Sequence, residues 1–126
     1  MPGDFTDLIA WQEAAALAKD VHGVARQLKG VAAIDAAEQM VRAAESISAN
    51  IAEGYGRGLT RDNCRFVRIA VGSATELEDR LLAAARNGRA SPTATDPVVA
   101  RTRRVRALTT GLLGWLERRI RSKRPA

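Results

Sequence analysis

Apolar residues recur every three or four positions along most of the chain, the spacing that gathers them on one side of a helix. In the first segment, Ala10, Ala14, Leu17, Val21, Val24 and Leu28 follow this period, and Phe5, Leu8 and Trp11 widen the stripe at its start. The pattern predicts a helix from about Asp4 or Phe5 to Leu28, closed by Lys29-Gly30, a basic last turn followed by a helix-ending glycine. A second helix is predicted from about Asp35 to Glu53, with Met40, Ala44, Ile47 and Ile51 as its stripe and Gly54 as its stop. Gly56 and Gly58 then permit backbone angles that a β-carbon resists. The third helix is expected over 61–86. Thr60 is its N-cap, Asp62 sits in its first turn, and Phe66, Ile69, Ala70, Ser73, Leu77, Leu81 and Ala84 mark its buried face. After a loop over 89–95 (RASPTAT), Asp96 and Pro97 read as the N-cap and first residue of a fourth helix, with Val98, Val105, Leu108, Leu112, Leu116 and Ile120 on its stripe. Nothing alternates with the period of a strand.

Four amphipathic helices with short connections predict an all-α fold, an antiparallel up-down-up-down four-helix bundle forming one domain over 1–126, with a basic tail from about 121 that frays. Leu59, Leu113, Trp115 and Tyr55 fall off the core stripes. They are expected either at a subunit interface or capping the bundle ends.

Composition changes this picture little, and charge changes it more. Aromatic residues make up only 4% of the chain, so the core must come from Ala, Val, Leu and Ile. The net charge of +6 is unevenly spread. Residues 101–126 carry Arg101, Arg103, Arg104, Arg106, Arg118, Arg119, Arg121, Lys123 and Arg124 against Glu117 alone, while the rest of the chain is slightly acidic. Such asymmetry points to an anionic polymer or surface, against the plainer reading of a helix with a solvated arginine face. Arg57, Arg61, Arg65 and Arg68 form a second basic group. Arginine's planar fork suits phosphate, and few aromatics interleave, so binding to RNA or DNA is expected to follow the backbone and to select weakly among sequences. The alternative is an interaction bundle whose basic helix meets an acidic protein.

A single cysteine, Cys64, excludes an internal disulfide and suits a reducing cytoplasm. No secretory pattern opens the chain, and no apolar run approaches the ~18 residues of a membrane span, so a cytoplasmic protein away from membranes is expected.

Enzymatic chemistry finds little support. Glu53 and Glu76 could be compared with the paired carboxylates of di-iron bundles, but the Glu-x-x-His pairs are missing and His22 has no acid at helical spacing, so neither metal nor other cofactor is expected. Cys64 stands near the start of the third helix among arginines, where a thiol pKa can fall; a packed, inert cysteine is the simpler reading. The stretch SANIAEGYGRG (48–58) is the one dense motif. Asn50 and Glu53 share a helix face, as do Ser73 and Glu76, so the two pairs are expected to meet in a polar network with Arg42 or Arg57 that fixes helix register. A second reading makes EGYGRG a backbone nest for an anion beside Arg57 and Arg61.

The block SISANIAEGYGR (46–57), then Phe66, then IAVGSATELEDRL (69–81) resembles the signature S-I-x-x-N-I-A-E-G-x-G-R … F … I-A-x-G-S-x-x-E-L-E-x-x-L of a bacterial four-helix-bundle family. Its members are known as reading frames within intervening sequences of 23S ribosomal RNA genes, and often carry the label ribosomal protein S23-like. Phe5, Asp7, Leu8, Trp11 and Ala14 match the family's opening, Ala10 stands where Ile or Val is usual, and the likeness weakens after Arg86. Accessory (Avd-like) proteins of diversity-generating retroelements share the fold, as homopentamers with a basic surface that work with a reverse transcriptase and nucleic acid. The resemblance implies a bundle, oligomerisation and nucleic-acid contact. It marks Asn50, Glu53, Gly54, Gly56, Ser73 and Glu76 as motif positions and implies no catalytic site.

Overall fold

The computed structural model describes residues 3–122. Four helices carry the fold: α1 (Ile9–Ala25), α2 (Ala33–Tyr55), α3 (Arg61–Arg86) and α4 (Pro92–Ser122), with no strand among the described residues. α1 packs on α2 and α4, and α3 packs on α2 and α4, so each helix has two neighbours around a square. Cross-helix contacts show the directions. Gly54 abuts Asn63 while Ser46 meets Ser73, so positions in α2 fall as those in α3 rise. The same reversal relates Arg68–Glu117 and Glu78–Arg103 between α3 and α4, and Glu13–Arg104 and Asp20–Arg101 between α1 and α4.

The core is built from small and branched side chains. Ala10, Ala14, Leu17, Val21 and Val24 cluster with Met40, Ala43, Ala44, Ile47 and Ile51, and Ala70, Ala74, Leu77 and Leu81 complete the core with Val98, Val99 and Val105. Alanines at core positions let the backbones approach, so a chain poor in aromatics still fills its interior. A smaller cluster of Cys64, Val67 and Leu116 lies where α3 begins and α4 ends. Leu59, Leu113, Trp115 and Ile120 pack against it, which accounts for three of the residues off the core stripes.

Several boundaries differ from expectation for physical reasons. The first helix is interrupted: Asp4 caps a 3-10 turn (Phe5–Asp7), Leu8 is extended, and α1 proper starts at Ile9 and ends before Leu28, which packs on the core from the following turn. Phe5 and Trp11 close this corner edge to face, 5.3 Å between centroids. α4 starts one turn before Asp96. The Ser91 hydroxyl accepts from Ala94 N–H, Pro92 takes the first helical position, and Pro97 lies inside the helix. On α3 the buried line runs through Asn63, Cys64, Val67, Ala70 and Ala74, leaving Phe66 half-buried and Ile69 42% exposed. On α4, Leu108, Leu112 and Ile120 are half-buried, and the interior also takes Thr102 and Thr109. Their hydroxyls donate to the carbonyls of Val98 and Val105, four residues back, so each buries its polar atom satisfied.

The glycine-rich corner works otherwise than expected. α2 runs through Gly54 to Tyr55, and Gly56 keeps right-handed helical angles (φ −63°). Only Gly58 of the three takes a left-handed conformation, φ 66°. Gly54 is instead a notch: a β-carbon there would lie 2.6 Å from Asn63 Oδ1 and 3.2 Å from Phe66 Cβ. Asn63, 2% exposed, occupies that notch and donates from Nδ2 to Gly58 O at 2.7 Å, tying the turn to α3. Thr60 caps α3 as expected, accepting from Asn63 N–H.

Candidate nucleic-acid interface

The arginines of α4 divide into two blocks, set by what lies opposite them. Arg101 and Arg104, three residues apart, face α1: Arg101 donates to Asp20 at 2.6 Å and lies 3.7 Å from Glu13, and Arg104 meets Glu13 at 3.2 Å. Arg103 and Arg106 face α3, where both grip Glu78, Arg103 at 2.7 Å. The two hydrogen bonds hold the Glu78 carboxyl below the usual glutamate range, and the bond to Asp20 raises the Arg101 pKa further. These four arginines share three carboxylates, Glu13, Asp20 and Glu78, and bind α4 to its neighbours.

The uncharged run ALTTGLLGWL (107–116) separates them from the second block. With Glu13 beside Arg104, antiparallel packing sets Ile9, the first residue of α1, beside about residue 108 of α4. The end of α4 therefore passes beyond α1 and its carboxylates. Among the described residues no ion pair engages Arg61, Arg118, Arg119 or Arg121, and Arg61, Arg118, Arg119 and Arg121 all lie at the surface. The acids nearby are taken: Glu117 by Arg68 at 3.0 Å, and Asp62 by Arg65 at 3.0 Å and Arg57 at 3.4 Å. Arg119 lies over the Trp115 ring, 4.9 Å from its centroid. Arg61 opens α3 beside the end of α4, and the two share a recess of about 260 Å³ with Arg68, Cys64, Glu117, Ile120 and Arg121. Lys123 and Arg124 lie outside the described residues.

Arg57 differs from its expected role. It departs from the basic-patch role only: as the network reading expects, it is bonded to Glu53 at 2.9 Å, and both Arg57 and Arg65 stack on Phe66. The bond to Glu53, with the charge of Asp62, raises its pKa. The anion nest is likewise absent. Gly56, Arg57 and Gly58 N–H donate to the carbonyls of Ala52, Gly54 and Tyr55, so the backbone donors that would cradle an anion are spent within the turn.

The polar network is half as expected. Ser46 and Ser73 hydroxyls lie 2.8 Å apart between α2 and α3, and Asn50 Nδ2 donates to Ser46 O and Oγ at 2.7 and 3.0 Å. The carboxylates stay out of it: Glu53 and Glu76 pair at the surface with Arg57 and, at 4.0 Å, with Arg80. The hub is Ser46, whose contact with Asn50 follows from their i, i+4 spacing and whose contact with Ser73 does not follow from spacing. Cys64 is 3% exposed, and burial pushes its thiol pKa up despite Arg68. The packed reading of that cysteine holds, and its thiolate is disfavoured.

No helix among the described residues is long and apolar enough to cross a membrane. No curated protein matches the chain. The family model described as 23S rRNA-intervening sequence protein matches residues 6–111, which takes in the motif corner, the Ser46–Ser73 contact and the paired arginines and ends short of Arg118. With a bundle of four helices and a match across most of its length, the chain belongs to the 23S rRNA-intervening sequence protein family.

Proposed function

We propose that this chain is a non-enzymatic bundle protein of the cytoplasm that holds RNA or DNA at the end where α3 begins and α4 stops. The observation that carries this reading is the division of α4: Arg101, Arg103, Arg104 and Arg106 are paired with Glu13, Asp20 and Glu78 within the bundle, whereas Arg61, Arg118, Arg119 and Arg121 are presented at one end without carboxylate partners among the described residues. Unpaired guanidinium groups at a surface release counterions when they meet phosphates, and that release drives backbone-dominated binding. The resemblance to retroelement accessory proteins adds a homo-oligomer, pentameric by that likeness, in which the patch repeats and avidity grows. A ribosomal RNA or a reverse transcriptase bound to nucleic acid is the partner such proteins suggest.

Salt-series binding to structured RNA and duplex DNA tests this. Four described arginines plus Lys123 and Arg124 make about six phosphate contacts, for a log–log slope near −5 on duplex DNA. A flat slope removes the reading. The second reading, an acidic protein partner, rests on the same unpaired charges; displacement of RNA by a polyacidic protein at equal charge would favour it.

A further inference from the structure

The recess between the first two turns of α3 and the last two of α4 is built unlike the rest of the basic end. Its rim carries three guanidinium groups, Arg61, Arg68 and Arg121, against one carboxylate, Glu117, already bonded to Arg68 at 3.0 Å. Its inner wall is apolar, formed by Cys64 and Ile120 of the small cluster. Three cations around about 260 Å³ repel one another unless an anion enters, and the arrangement leaves a net excess of two positive charges there. The space exceeds what a lone phosphate needs, and an apolar wall beside a cationic rim suits a group with one charged and one weakly polar end.

We propose that this recess takes one phosphate–sugar unit of a single-stranded nucleic acid, the phosphate between Arg61 and Arg121 and the sugar against Ile120. The proposal rests on the nucleic-acid reading above and deepens it. A forked guanidinium on each side gives the phosphate paired charge-assisted hydrogen bonds. A stiff duplex follows a surface and cannot push one backbone unit between two helices, whereas a flexible strand can. Glu117 acts as the resident competitor: it holds Arg68 until a phosphate offers more, so its charge sets the affinity of the recess.

The test is binding of oligouridylate and of a duplex RNA by the full chain, with Arg61→Gln, Arg121→Gln and Glu117→Gln variants and two controls, Arg118→Gln on the open patch and Glu38→Gln in a groove between α1 and α2. Arg61→Gln and Arg121→Gln are expected to weaken oligouridylate binding about five- to ten-fold, each flattening the single-strand salt slope by about 0.7, with a smaller loss on duplex. Glu117→Gln is expected to tighten oligouridylate binding, and Glu38→Gln, equal in charge change, to leave it within about two-fold. Oligouridylate binding that ignores Arg61 and Arg121 overturns the recess while leaving the nucleic-acid reading intact. Equal losses for Arg61→Gln and Arg118→Gln, with no gain from Glu117→Gln, reduce the recess to part of a diffuse field and overturn it too. Absence of any nucleic-acid binding by the unmodified chain overturns both.

Discussion

Replacing Gly54 by alanine probes the corner that joins α2 to α3. A helical glycine replaced by alanine ordinarily gains stability, about 1 kcal/mol in an exposed helix interior. At Gly54 the new methyl would meet Asn63 Oδ1 at 2.6 Å, the Asn63 carbonyl at 3.1 Å and Phe66 Cβ at 3.2 Å. Asn63 cannot swing aside freely, because it is buried and its Nδ2 is bonded to Gly58 O. Overpacking costs about 1–3 kcal/mol, and losing the Asn63 bond costs about 1–2 kcal/mol more. Set against the propensity gain, Gly54→Ala should destabilise by about 2 kcal/mol, roughly 8 °C in Tm for a chain of this size. Gly23 and Gly111 supply the contrast: both are helical, and a β-carbon at either meets nothing within 4 Å. Gly23→Ala and Gly111→Ala should stabilise by about 0.5–1 kcal/mol. Thermal unfolding followed by circular dichroism, at one protein concentration, measures all three. Gly54→Ala as stable as the parent, or more so, would refute the notch.

Other outcomes follow from the same contacts. Glu78→Gln should destabilise by about 1–2 kcal/mol at neutral pH; the loss is modest because Arg103 is more than half exposed and water screens the pair. Because its partners depress the Glu78 pKa, its contribution is complete above the ordinary glutamate value near 4.3 and fades as pH falls through the lower folded value. Urea midpoints from pH 6 down to pH 2 should therefore converge for the two proteins at the acid end. The Cys64 thiol should react with Ellman's reagent at least about a hundred times more slowly in the folded chain than in urea, since burial hides it and disfavours its thiolate. Ser73→Ala should cost about 1–2 kcal/mol, as Ser46 loses its partner across the helix pair; urea titration would reveal it.

Much of the fold is legible in the sequence because periodic apolar positions report which face is buried. α3 has its predicted bounds, with Thr60 and Asn87 flanking it. The start of α4 is not legible in the same way. Ser91-Pro92 and Asp96-Pro97 are both sound cap-and-proline pairs five residues apart, and local chemistry does not rank them. Burial of Thr95, Val98 and Val99 on the bundle does, since it requires helix already at Thr95. Hydrophobicity alone places Ile69 in the core, yet the smaller Ala70 and Ala74 hold the interior, where helices lie close. At Gly54 the sequence advertises backbone freedom, when the missing side chain is what matters. The division of the basic helix is invisible for another reason. The partners of Arg103, Arg101 and Arg104 lie 25, 81 and 91 residues away, and nothing in local spacing connects them.

The division of α4 is tested most directly by two variants equal in charge: Arg101→Gln/Arg103→Gln/Arg104→Gln and Arg118→Gln/Arg119→Gln/Arg121→Gln. Binding of each to the same structured RNA would be measured across a salt series, at a temperature where both stay folded. The first is expected to bind within about two-fold of the parent although less stable, since its arginines already serve carboxylates. The second is expected to lose affinity steeply, with a salt slope flatter by about 2–3. Equal losses in both would contradict the account, because the bundle's own carboxylates would then have failed to set the two blocks apart.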